Sequence, residues 1–305
     1  LLTGSAFSQY IFPVNFYENE GEIRYGRFDV SDQKIFWPLG EKGVLIFDAT
    51  DVQNLRRLKL YRPYEIRSYN KVYGSSNSIE LKGDTGYLAH GDLGFEAIDF
   101  SSINDPKVIG RYYRHQEVFN FTLFRNYALL ALDNMGVEVI DISDFKDMKM
   151  VSRKNFDGVH VNNIDVLDNY LIASCGVYGI KIIPYEPPLE SFEGKKFTRE
   201  FTTENDVHKI IVHKGYGIVA NDADGLYILD LSLPEYPSIA REIKTNGRAM
   251  DILLQENLLY VATSKGIEIL NVEDPLNHYT VDQYQDKKRS FQKLELNGNH
   301  LYATY

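Results

Sequence analysis

Cysteine is nearly absent from this chain: Cys175 is the only one in 305 residues, so no disulfide can form within it. Its setting, the strand-like YLIASC, suits a buried and inert thiol. Long hydrophobic runs are missing as well. No apolar stretch approaches the roughly 20 residues that a bilayer-spanning helix needs, so the expectation is a domain without a membrane span, soluble or merely anchored. Basic residues do not predominate: 33 Lys and Arg against 43 Asp and Glu leave a formal net charge of −10, which argues against a general affinity for nucleic acid. Catalytic signatures are lacking too. There is no G-x-S-x-G elbow, no H-E-x-x-H, no paired C-x-x-C and no phosphate-cradling glycine loop. His115, His160 and His208 fall near the starts of inner strands, without the local spacing of a metal site. Asp222-Ala223-Asp224-Gly225 opens like a calcium loop but lacks the remaining ligands, and reads as a turn. On these grounds no cofactor, no metal and no enzymatic activity are expected.

What the sequence has in quantity is tyrosine (22), phenylalanine (17) and short β-prone runs divided by Gly, Asn and Asp. One run recurs. The string GVEVIDISD from Gly136 returns as GVLIFDATD from Gly43, GFEAIDFSS from Gly94, GIKIIPYEP from Gly179, GLYILDLSL from Gly225 and GIEILNVED from Gly266. Successive glycines lie 51, 42, 43, 46 and 41 residues apart, the period of a four-stranded propeller blade and too long for a leucine-rich solenoid. The fold class is therefore all-β, a β-propeller forming one domain over residues 1–305. The third copy shows the unit best, with strands expected over 119–124, 127–132, 137–142 and 148–154. Its third strand is apolar on both faces, Val137 and Val139 on one and Ile140 and Ile142 on the other, so sheets must pack against it from both sides. Counting inner strand pairs gives seven units, because 291–296 and 300–305 repeat the first two strands. Residues 6–16, of strand composition, are expected to complete that last blade, tying the two ends together and removing open edges. The alternative is six blades.

The strings GVEVIDISD, GLYILDLSL and GIEILNVED, each preceded by a turn and a strand such as LLYVAT or YALLAL, resemble the LVIVD repeat of bacterial and archaeal surface proteins. The resemblance implies a propeller and a cell-surface setting, but no shared active site. Two departures stand out: Pro184 replaces the Asp in the copy at Gly179, and the seventh copy lacks its third strand. The first five residues, Leu1-Leu2-Thr3-Gly4-Ser5, resemble the end of a bacterial lipoprotein signal with Ser5 where the acylated cysteine would stand. Localisation at the cell surface or outer membrane and periplasm, as a lipoprotein with a lipid anchor at the N-terminus, is the expectation; secretion is the alternative.

Two sets of candidate site residues follow from the repeat. Aligning inner strands places Arg27, Ser78, Asn120, Asn163, Lys209, Asp251 and Lys293 at one polar position near the channel mouth. The structural reading, strand ends solvated or paired with the next blade, is preferred to a ring that grips a ligand. The second set lies on connections from each fourth strand to the next first strand, which emerge at one end, the top. Three are basic: 61–73 holds Arg62, Arg67 and Lys71 against Glu65, 111–117 holds Arg111, Arg114 and His115 against Glu117, and 284–290 holds Lys287, Lys288 and Arg289 against Asp286. They also carry Tyr61, Tyr64, Tyr69, Tyr73, Tyr112 and Tyr113, and Tyr and Arg are enriched in binding hot spots. Connections at the opposite end are acidic, through Asp48, Asp51, Asp99, Asp105, Asp141, Asp144, Glu186, Glu190, Asp230, Glu235, Glu273 and Asp274. The expected function is a non-enzymatic surface module that binds a protein or acidic glycan through the basic, Tyr-rich top. The alternative is a hydrolase or lactonase-like enzyme working at the channel mouth.

Overall fold

The computed structural model describes residues 27–113, 117–132, 134–185 and 199–305. Strands are short and turns tight, so each repeat folds as an antiparallel meander whose neighbours in space are neighbours in sequence. Blade 1 comprises Asp29–Ser31, Lys34–Pro38, Val44–Asp48 and Arg56–Tyr61, and blade 2 Ser78–Lys82, Thr85–Ala89, Phe95–Asp99 and Lys107–Tyr112. Blade 3 comprises Val118–Phe124, Tyr127–Leu132, Gly136–Asp141 and Lys149–Lys154, and blade 4 Asn163–Leu167, Tyr170–Ser174, Ile180–Pro184 and Arg199–Phe201. Blade 5 is made of Lys209–His213, Tyr216–Ala220, Leu226–Asp230 and Ser238–Ile243, and blade 6 of Ala249–Gln255, Leu258–Thr263, Gly266–Asn271 and Tyr279–Gln285.

The expectation of seven four-stranded blades is corrected. Among the described residues six blades are four-stranded, the alternative count, and Lys293–Asn297 with His300–Thr304 forms a separate two-stranded sheet. That pair sits in the wedge between blades 6 and 1. Phe291 and Leu294 pack with Tyr260, Ala262 and Ile267 of blade 6, Tyr302 lies against the blade 1 cluster of Val30, Leu45 and Phe47, and Asn297 Nδ2 donates to Val30 O at 2.6 Å. A wedge is narrowest near the axis, which is where this inner hairpin sits. Residues 1–5 and 6–16, on which the anchor and the shared blade were expected, lie outside the described residues.

The core is divided among the seams. Val137 and Val139 join the cluster shared with blade 4, whereas Ile140 and Ile142 join the one shared with blade 2, as a third strand covered on both faces requires. Seven such clusters follow one another around the ring, the C-terminal pair contributing to two. Truncating a fully buried seam residue such as Leu130 or Leu259 removes both its transfer free energy and its packing partners, about 2–5 kcal/mol. The repeated glycine is required at Gly136, whose φ is +80° and where a Cβ would collide with the carbonyl oxygen of Lys154. Pro184 is accommodated at the end of its strand, opposite Tyr170.

Candidate functional site

At the top, residues 61–73 are not a loop. Tyr64–Arg67 and Asn70–Tyr73 pair as a hairpin inserted between blades 1 and 2, turning through Ser68 and Tyr69 at positive φ. Tyr69 at its tip is 102 % exposed, and Tyr64 and Tyr73 are also exposed with ring centroids 5.9 Å apart. Cations lie on these rings: the Arg62 guanidinium 4.1 Å above Tyr73 and the Lys71 ammonium 4.1 Å above Tyr64. On the next exposed connection the Arg289 guanidinium stands 5.1 Å from the Tyr305 ring while pairing with Asp286 at 2.8 Å. Lys287 and Lys288 are exposed beside it. Arg67 contributes its backbone to the hairpin, and Arg114 and His115 lie outside the described residues.

Two expected recognition residues have another role. Arg111 keeps only 13 % of its side chain exposed because its Nε lies 2.5 Å from Glu96, itself fully buried, with His90 Nδ1 3.1 Å from the same carboxylate oxygen. Its other nitrogens donate to Tyr64 O at 3.2 Å and Tyr113 Oη at 3.4 Å, so Arg111 holds the hairpin onto blade 2. Tyr112 points inward, donating its hydroxyl to buried Glu138 at 2.8 Å. Tyr113 remains exposed. Glu96 and Glu138 went unnoticed in the sequence. The available signal was a lone acid at the same place in apolar third strands, G-F-E, G-V-E and G-I-E.

The end-to-end charge contrast is also corrected. Turns between second and third strands emerge at the top as well, bridging to the following connection at Gly40–Ser76, Gly91–Val118, Gly176–Val207 and Asp222–Ala249. They bring Glu41, Asp92, Asp222 and Asp224 to that end, so its basic character belongs to a sector: Lys244, Arg248 and Lys265 around blade 6, Lys287 to Arg289, then Arg62 and Lys71. The Asp222–Gly225 segment is a turn, closed by Gly225 N donating to Asp222 O, with Asp224 Oδ2 accepting from Asn205, Asn221 and the Tyr227 hydroxyl. At the bottom, acidic residues cap turns. Asp48, Asp51, Asp99, Asp141, Asp144, Asp230 and Asp274 each accept a backbone N–H two residues on. The Arg56 hydrogen bond holds Asp48 well below the usual carboxylate range. Glu186 and Glu190 lie outside the described residues.

Inner strands place the polar ring as aligned. Ser78, Asn120, Asn163, Lys209, Asp251 and Lys293 each pair with a small residue of the second strand: Ala89, Ala131, Ser174, Ala220, Ala262 and Thr304. Ring members link one blade to the next. Arg27 N donates to Ser78 Oγ at 3.3 Å, Ser78 Oγ to Asn120 Oδ1 at 2.8 Å, and Asn120 Nδ2 to Asn162 O at 2.9 Å. One step down the strands, Asp29 Oδ2 accepts from Leu81 N at 2.5 Å and Asp165 Oδ2 from Val212 N at 2.9 Å, each a clamp into the following blade. Burial raises the pKa of both carboxyls. His208 Nε2 stands 3.5 Å from Asp222 and His160 packs edge-on to Phe119. Among the described residues no three His, Cys, Asp or Glu side chains are grouped to hold a metal, and no helix is long and apolar enough to cross a membrane.

The LVIVD repeat family matches residues 122–155, 205–245 and 246–285, which cover most of blade 3 and the whole of blades 5 and 6. No curated protein matches the chain. Among solved structures, a Lactobacillus plantarum protein is 11% identical over 87% of this chain and 86% of its own, with a TM-score of 0.66. The β-propeller domain of Cps50 (Swd1) from Myceliophteria thermophila is 10% identical over 91% of each chain, with a TM-score of 0.60. A computationally designed protein, Ika8, is 9% identical over 93% of this chain and 94% of its own, with a TM-score of 0.63. Identities this low speak to the fold and to nothing finer. With its repeats matched and its blades in place, the chain is a β-propeller that carries LVIVD repeats.

Proposed function

We propose that this propeller is a non-enzymatic binding module that presents the basic, tyrosine-rich sector of its top face to a protein or acidic glycan at the cell surface. The observation that supports this reading is the inserted hairpin. A blade-to-blade connection needs only a few residues, and 155–162 or 244–248 suffice elsewhere, yet here ten residues project three exposed tyrosines with cations stacked on two of them. Exposed Tyr faces and guanidinium groups supply desolvatable area and orientation at interfaces. A hydrolytic site would instead need acids or histidines freed for chemistry around one pocket, whereas Asp29 and Asp165 serve as clamps between blades.

The test is retention of a cell-envelope fraction by the purified domain, with Y69A, the double variant R62E/K71E and K287E/K288E compared with the bottom variants D51K and D144K. Top variants are expected to lose binding and bottom variants to keep it. Retention should weaken steeply between about 0.1 and 1 M salt, as the Debye length falls from about 10 to about 3 Å. Loss of binding in the bottom variants, with the top variants unchanged, would sink this reading.

A further inference from the structure

We propose that the charged half of the central channel is a binding site for a small oxyanion, a carboxylate or phosphate group seated against Lys293, Lys209 and the Nε edge of Arg27. The inference does not rest on the top-face reading. In the ring of equivalent positions the half formed by Ser78 and Asn120 is neutral and internally hydrogen bonded. The other half runs Lys209, Asp251, Lys293, Arg27 across blades 5, 6 and the C-terminal pair to blade 1, three cations with one carboxylate among them.

That carboxylate is partly engaged: Asp251 Oδ1 lies 3.1 Å from Lys209 Nζ as an ion pair without a hydrogen bond among the described residues, and its Oδ2 accepts from Leu294 N at 2.9 Å. Arg27 reaches Glu80 through one terminal nitrogen at 2.5 Å, and its buried Nε has no hydrogen-bond partner among the described residues. The Lys293 ammonium makes no hydrogen bond or ion pair among the described residues, although the charge of Asp251 acts on it. Burial, and then the charges of Lys209 and Arg27, hold its pKa below the ordinary lysine value. Lys293 in turn depresses His208, after burial, from the blade 5 entrance. Below the ring stand Asp29, occupied by two backbone N–H groups, and Glu295, pushed up to about 7 chiefly by burial and so only partly charged at neutrality.

Two donors without hydrogen-bond partners among the described residues therefore stand at adjacent positions of the ring, on the same side as Lys209, and water reaches this side, since Arg27 and Lys209 keep 31 % and 18 % of their side chains exposed. An oxyanion accepts several charge-assisted N–H bonds at once, which suits donors that make none within the described residues.

The experiment uses the full chain and inorganic phosphate, with acetate as the carboxylate arm and chloride at matched ionic strength as reference. Phosphate or acetate is expected to raise the Tm above the chloride value, and calorimetry should show a heat of binding that chloride does not give. K293M should weaken that binding about tenfold or more while its Tm in chloride equals or exceeds that of the wild type. K146M, at an exposed lysine away from the channel and from the top, should respond like the wild type. Equal Tm in all three salts with no heat of binding, or a K293M response matching the wild type, overturns the proposal. Should K293M fail to fold, the wild-type calorimetry decides by itself.

Discussion

A cation near the surface is read by its neighbours, and Arg111 shows the difference this makes. By composition it belongs with Arg62 in a basic connection, yet it neutralises a fully buried Glu96 and braces the inserted hairpin through Tyr64 O. Removing one partner of a buried pair leaves the other charge stranded, at a cost of about 3–5 kcal/mol. Arg62 donates to Glu41 O and stacks on Tyr73 from an exposed position, where a substitution shifts stability by no more than about 0.5 kcal/mol. R111E is therefore expected to lower the midpoint of urea unfolding strongly and R62E scarcely at all. Similar midpoints for the two variants would show that the Glu96 site is not held by Arg111.

At the level of the blade, one glycine position fixes how the third strand starts. Gly136 combines a φ of +80° with a backbone neighbour where a Cβ would sit, whereas Gly83, in a turn between first and second strands, has a φ of +60° and open space around it. G83A should therefore carry only the left-handed penalty of about 1–2 kcal/mol, while G136A must also displace the strand carrying Lys154. Thermal unfolding of the pair should place G136A clearly below G83A. Equal midpoints would mean that the close approach at Lys154 O relaxes freely. Between blades the corresponding devices are side-chain clamps such as Asp165, whose carboxylate joins Val166 N in its own strand to Val212 N in the next blade.

Closing the ring creates an environment that no single repeat possesses. Glu295 illustrates it: enclosure raises its pKa from 4.5 to about 7, burial outweighing the pull of Arg27. An acid whose pKa is raised on folding stabilises the fold below its unfolded value of 4.5, and that contribution is lost as pH rises through about 7. The wild-type Tm should therefore fall relative to that of E295Q between about pH 5 and about pH 8. Parallel pH profiles for the two proteins would show that Glu295 titrates alike in the folded and unfolded chains.

The blade period, strand order, doubly apolar third strands and alignment of the inner ring were all readable along the chain, because each depends on residues within about one repeat of one another. Strand propensity and turn chemistry act locally, so GVEVIDISD and its copies announce their own conformation. What a side chain meets after the ring closes was not readable. The burial of Arg111 and Tyr112 on Glu96 and Glu138, and the hydrogen bond from Asn297 to Val30, join residues up to 267 positions apart. Charge counted along a loop cannot report a partner from another strand. Desolvation, which turns an apparent surface cation into a brace and a channel lysine into an unmet charge, exists only once the blades have packed.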